Sequence, residues 1–159
     1  MSLNIPENLK PAILYGGATN GCGTRSDYIC CKNAHKVTLV GYTWGTSATT
    51  CVVNLLEASD VAASDEATIT ATVPIWTGIV TTSLDTLTRQ TDAASLTIDP
   101  DGTDSTLLFV MEWDPAKFSS GLDCLAAKLT TGDASDNMVL LAFIDERYPQ
   151  VTPPTAITD

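Results

Sequence analysis

The sequence predicts an all-β fold, a jelly-roll-like antiparallel β-sandwich with extended N- and C-terminal arms, and three observations carry that prediction. Between Ser105 and Asp145, three apolar runs of strand length are separated by short polar turns. Threonine occurs twenty-four times while only 17% of the residues are charged, an excess of β-branched polar side chains that favours strands. No stretch carries a strong helical pattern. The 159 residues fit one domain, and a domain of that size buries roughly two-thirds of its unfolded surface, so neither a metal nor a disulfide is needed for folding.

Taken in order, residues Met1 to Pro11 carry no periodicity and predict an extended arm, with Pro6 and Pro11 bracketing a polar segment. Ile13-Leu14-Tyr15 fits a short strand. Gly16 to Gly23 is a glycine-rich loop that lacks the Lys-Ser/Thr of a phosphate-cradling loop. Asp27–Lys32 is a short strand broken at Asn33. His35–Trp44 then alternates Val37, Leu39 and Gly41 on one face with Thr38, Val40 and Tyr42 on the other. Gly45-Thr46-Ser47 reads as a hairpin turn, and Thr49–Ala58 returns with Cys51, Val53 and Leu55 facing one way and Val52, Asn54 and Leu56 the other. Apolar residues on both faces make these two strands central, or leave one face to a partner.

Ser59–Glu66 is an acidic loop. Thr68–Trp76 alternates Thr68, Thr70 and Thr72 with Ile69, Ala71 and Val73, and Pro74 moves it to an edge or bends it. Ile79–Gln90 fits one or two short strands, with a helical turn at Leu84–Leu87 as the rival. Ser95–Ile98 is strand-like, and Asp99 to Asp104 makes a turn. Thr106–Trp113, an unbroken apolar run, fits a strand buried on both faces and stopped by Asp114-Pro115. Cys124–Thr130 alternates, and Met138–Ile144 is apolar throughout. The connections among these three runs are too short for a crossover helix, which predicts an antiparallel meander. The core is expected from Val37, Leu39, Val53, Leu55, Leu108, Val110, Leu125, Leu129, Leu140 and Ala142. Prolines 153 and 154 hold a polar tail extended. The expected organisation is an arm over 1–11, a sandwich over 12–148 and a tail over 149–159, with no internal repeat.

The net charge of −11 argues against nucleic acid or an anionic membrane as partner, since both require a cationic footprint. No stretch has the length and apolarity of a membrane span or the pattern of a secretion signal, so a soluble protein is expected. The five cysteines include no C-x-x-C pair, and buried reduced thiols are expected, with a bridge from Cys22 to Cys30 or Cys31 as the alternative. Neighbours in a strand face opposite ways, so Cys30 and Cys31 make poor partners for each other or for one metal. The lone histidine, His35, starts a strand, and no G-x-S-x-G occurs, so no nucleophile and base are legible and no enzyme is expected. Asp99, Asp101 and Asp104 lack calcium-loop spacing. Trp44, Trp76 and Trp113 are candidates for a sugar-stacking platform or for packing at a rim or interface. No catalytic, cofactor or metal site is assigned.

Several short motifs carry a family resemblance. They are Asp27-Tyr28 followed by Lys32-Asn33 and the strand from His35, the Trp76 region running into Thr86-Leu87-Thr88, Asp123-Cys124 opening a strand, and Arg147-Tyr148-Pro149 closing the last one. Over roughly residues 25 to 150 the chain resembles the head decoration, or cement, proteins of tailed bacteriophages, small virion proteins with a jelly-roll-like sandwich. The resemblance implies a non-enzymatic protein, made in the host cytoplasm and bound as a homo-oligomer, a dimer or trimer, to the outer surface of the capsid, where it clamps neighbouring major capsid protein subunits. A carbohydrate- or receptor-binding module on the virion is the alternative. Both termini, Met1–Lys10 and Val151–Asp159, lack the periodicity to bury a face and are expected to carry binding to the shell.

Overall fold

Period-two alternation becomes ladder pairing throughout the computed structural model, which describes residues 9–16, 25–45, 50–79, 86–99, 106–130, 136–147 and 157. The strands are β1 (Lys10–Gly16), β2 (Ile29–Cys30), β3 (Ala34–Trp44), β4 (Cys51–Ala58), β5 (Ala67–Thr68), β6 (Ile75–Ile79), β7 (Thr88–Arg89), β8 (Ser95–Ile98), β9 (Thr106–Trp113), β10 (Cys124–Thr130) and β11 (Asn137–Glu146). One six-stranded sheet has the order β1-β11-β3-β9-β6-β7. The other runs β2-β10-β4-β5, with β8 beside β5 on the same flank of β4. Every pairing between strands is antiparallel. The chain is an all-β sandwich.

The expected meander does not form. β9 and β11 lie in the six-stranded sheet, each against β3, while β10 lies in the other sheet between β2 and β4. The expected hairpin of His35–Trp44 with Thr49–Ala58 is also absent, because β3 and β4 belong to opposite sheets. The chain in fact changes sheet at every connection except β4 to β5 and β6 to β7. Stacked sheets stand only about 10 Å apart, so a short connection can cross the sandwich as readily as it can turn within a sheet. Both strands are nonetheless central in their sheets, as their two apolar faces imply.

Inward residues from both sheets fill the gap between them. Val37 and Leu39 of β3, Leu107, Phe109, Met111 and Trp113 of β9, and Met138, Leu140, Ala142 and Ile144 of β11 meet Cys51, Val53 and Leu55 of β4 and Leu125, Ala127 and Leu129 of β10. Eight of the ten expected core residues are there. Leu108 and Val110 are not, because β9 is buried on one face only and its inward set is Leu107, Phe109, Met111 and Trp113. Thr68–Trp76 keeps its alternation, with Ile69 and Val73 buried and the threonines out, yet it pairs only at Ala67–Thr68 and through a bridge from Val73 to Ala93 before Pro74 releases it into β6. β1 opens at Lys10, so Lys10 and Pro11 of the expected arm belong to the sheet. The Gly17–Gly23 segment, the 100–105 turn and nearly all of both arms lie outside the described residues, as does half of the Leu84–Leu87 alternative.

Two polar devices fix the ends. The connector from β9 to β10 begins with a 3-10 turn, Pro115–Lys117, capped by Asp114, whose carboxylate accepts from the Ala116 N–H at 2.9 Å. That connector is then held by Glu57, a buried carboxylate at the end of β4 that accepts from the Ser119 N–H at 3.0 Å and from the Ser119 hydroxyl. A charge this deep is tolerated because both of its oxygens are hydrogen-bonded.

At the centre, Gly41 of β3 sits directly opposite Phe109 of β9, whose ring occupies the space a Cβ would take. Replacing Gly41 with Ala should therefore destabilise the protein by about 1–3 kcal/mol, the usual cost of overpacking. Combining it with Phe109→Leu should cost less than the sum of the two single changes. A denaturant-unfolding double-mutant cycle reads this; strict additivity would refute the contact's role.

Candidate functional site

Sandwich strands with one covered face carry polar residues on the other. The six-stranded sheet departs from this. Along one register row its outer face presents Ile13 of β1, Leu141 of β11, Val40 of β3, Val110 of β9 and Trp76 of β6, each the direct cross-strand partner of the next. The row alongside it holds Val139, Tyr42 and Leu108, and Phe143 extends the patch on the other side. Ile13 is 63% exposed, Tyr42 37% and Trp44 36%, while Leu141, Val40, Val110 and Trp76 are half-buried by one another. The core behind them is already closed, so these side chains add nothing to it.

Among the described residues the charges on this face lie toward its rim, and two ion pairs engage most of them. Lys36 and Glu112 form an ion pair at 2.6 Å at one end. At the β7 edge Arg89 lies over the Trp76 ring, 5.2 Å from its centroid, and also meets Asp92 at 2.6 Å. An apolar, charge-depleted centre with a polar rim is the anatomy of a protein interface. The aromatic platform is only partly assembled: Tyr42 and Trp44 pack with ring centroids 5.5 Å apart and Trp76 shares their face, whereas Trp113 is buried against Phe118. Sequence reasoning assigned no site here, and it placed Leu108 and Val110 in the core. The signal was present in the doubly apolar β3 and β9, but a pattern cannot say which partner covers the second face.

The opposite sheet closes its own outer face. Tyr28, Leu56, Ala58, Cys124 and Ala126 form a small second cluster, with Val61 and Ala63 from the 59–66 loop packed over it. A latch holds that loop: the Glu66 carboxylate accepts from Arg25 at 2.6 Å and from the Tyr28 hydroxyl at 3.1 Å, and the Arg25 guanidinium lies over the Tyr28 ring. The Arg25 contact, helped by Tyr28, holds the Glu66 carboxyl below the usual range despite some desolvation. Burial, then the Glu66 charge, pushes the Tyr28 phenol up.

Beside this cluster Cys30 of β2 and Cys124 of β10 are direct cross-strand partners. Their sulfurs and an Asp123 carboxylate oxygen all lie within 4.8 Å of one another, and the Cys124 thiol donates to Asp123 at 3.4 Å. Cys31 points the other way, into the main core, so the two adjacent cysteines do face opposite sides. Burial first, and then the neighbouring Cys30 and Asp123, push the Cys124 thiol upward. Cys30 is only half-buried, unlike the fully buried thiol expected, while Cys51 is buried at 2% exposure. Cys22 lies outside the described residues. His35 is exposed at the start of β3. A cleft of about 410 Å³ opens between the sheets beside Ile75, Gln90 and Leu96, and its lining carries no charged group.

No protein-family model and no curated protein matches the chain. Among solved structures it is similar to the crystal structure of SPBc2 prophage-derived protein YomS, with a TM-score of 0.51 and 10% identity, over 86% of this chain and 92% of that one. The likeness is one of fold. It extends over nearly the whole of both chains, so the sandwich is shared as a complete unit. No helix among the described residues is long and apolar enough to cross a membrane.

The latch predicts a pH response with a definite sign. Because the folded pKa of Glu66 is depressed, its contribution is complete above the ordinary glutamate range, about pH 4, and is lost as pH falls through the lowered folded value. The pair is partly exposed, so the effect should stay within about 1 kcal/mol. Hydrogen exchange of residues 59–66, corrected for intrinsic rates, should accelerate below that pH. Glu66→Gln should accelerate it already at neutral pH and flatten the dependence.

Proposed function

We propose that the chain is a non-enzymatic virion protein that decorates the outside of an assembled tailed-phage head, docking through the apolar outer face of the six-stranded sheet onto major capsid protein subunits. The observation that carries this reading is the unbroken apolar row from Ile13 to Trp76, on a face that the protein's own core does not need. Such patches mark interaction sites in soluble proteins. The fold likeness to a prophage-derived protein supports the phage setting, and the motif resemblance supports the decoration role. An acidic body with net charge −11 is repelled by packaged DNA and favours the outer side of the shell.

Residues 1–9 lead into β1 at the rim of this same face, where Pro11 pairs with Phe143 and Ile13 with Leu141. Many symmetric copies of a homo-oligomer would add avidity to a modest single contact. The exposed Tyr42–Trp44 pair favours a second reading, a carbohydrate- or receptor-binding module. Aliphatic side chains dominate the row, however, and sugar rings stack on aromatic faces rather than on Val, Leu and Ile.

Val110→Lys should test the docking face, since it places a charge at the middle of the row without entering the core. Occupancy on purified particles, read by co-sedimentation, should fall at least about tenfold, as a loss of roughly 1.4 kcal/mol requires, while the melting temperature stays within a few degrees. Undiminished occupancy would move the interface off this face. Tight binding of the unmodified chain to glycans, with none to particles, would favour the second reading.

A further inference from the structure

We propose that Cys30, Cys124 and Asp123 form a binding site for one thiophilic divalent cation of the zinc class. The two sulfurs come from different strands, brought into register by the pairing of β2 with β10, and the carboxylate comes from the residue that leads into β10. All three donor atoms already lie within 4.8 Å of one another. Zinc–sulfur bonds of about 2.3 Å and zinc–oxygen bonds of about 2.0–2.2 Å in a tetrahedron place ligand atoms roughly 3.5–3.8 Å apart. The 3.4 Å separation of Cys124 Sγ from Asp123 Oδ1 already matches that edge, and a side-chain rotation of Cys30 closes the rest.

The donor set is mixed, two thiolates and one carboxylate, which selects a borderline ion over calcium or magnesium. Cys31 cannot complete it, because it faces the core on the other side of the sheet. Among the described residues three ligands converge, which leaves a fourth position at the half-buried Cys30 side for a water or another donor. Binding transfers the two thiol protons to solvent and replaces them with two metal–sulfur bonds. The structural result is a staple. β2 is only two residues long and lies at the sheet edge, and the ion would fix it to β10 beside the latched 59–66 loop. Cys30 and Cys124, 124 − 30 = 94 positions apart in the sequence, thus share one ion, with no C-x-x-C motif to advertise it.

Titration of the reduced, chelator-treated full chain with cobalt(II) tests the assignment. One equivalent should bind with a thiolate-to-cobalt charge-transfer band that zinc(II) abolishes, and zinc should raise the melting temperature. Cys30→Ser, at a half-exposed edge position, should lose the band while keeping the circular dichroism of the fold. Asp123→Asn should weaken cobalt binding about tenfold or more. A missing band, or a band that survives Cys30→Ser, would overturn the site. A Cys30–Cys124 disulfide that forms natively and yields no cobalt-binding protein on reduction would overturn it equally.

Discussion

The Phe109 ring lying over Gly41 is the contact on which the rest of the arrangement depends. β3 runs along most of its length between β9 on one side and β11 on the other, and Gly41 faces Phe109 at the centre of that three-strand band. Only glycine leaves room for the ring, so the pairing register of β3 with β9 is pinned at one position. Because side chains alternate, a slip of one residue would turn every inward residue outward. The pinned register therefore decides two surfaces together. It sends Leu107, Phe109 and Met111 into the core, and it sends Leu108 and Val110 out beside Tyr42 and Val40. The outer apolar row is the other half of the core's own register.

The two outer faces of the sandwich are treated differently by the same chain. Over the β10–β4 side, a loop folds back, packs Val61 and Ala63 on a small cluster and is held by Glu66 against Arg25 and Tyr28. Nothing described covers the β11–β3–β9 side in that way, and the charges at its rim neutralise each other as Lys36 with Glu112 and Arg89 with Asp92. A protein of net charge −11 that keeps the middle of one broad face uncharged has the composition of a contact made with another molecule.

Much of this was legible in the sequence, and the failures have one physical source. Alternation located β3, β4, β8, β9, β10 and β11 to within a residue or two and sorted Val37 from Thr38 and Cys51 from Val52 correctly. Alternation reports a strand's two faces; it says nothing about which strand lies alongside. That is why β9, β10 and β11 read as a meander when they in fact alternate between sheets. The same blindness hid the Cys30–Cys124 pair, since its partners are brought together only by β2 pairing with β10. In Thr106–Trp113 both faces are apolar, so periodicity could not tell Leu108 from Leu107. Gly41 held the missing information: a lone glycine in an apolar strand signals a close approach, here by an aromatic ring.

Residue-level oxidative footprinting of the protein, free and bound to purified phage particles, tests the central claim most directly. The account predicts that Ile13, Leu141, Phe143, Tyr42 and Trp76 become protected on binding, while Val61, in the loop over the opposite sheet, keeps its free-state reactivity. Protection centred on the 59–66 loop, with the Ile13-to-Trp76 row unchanged, would contradict it.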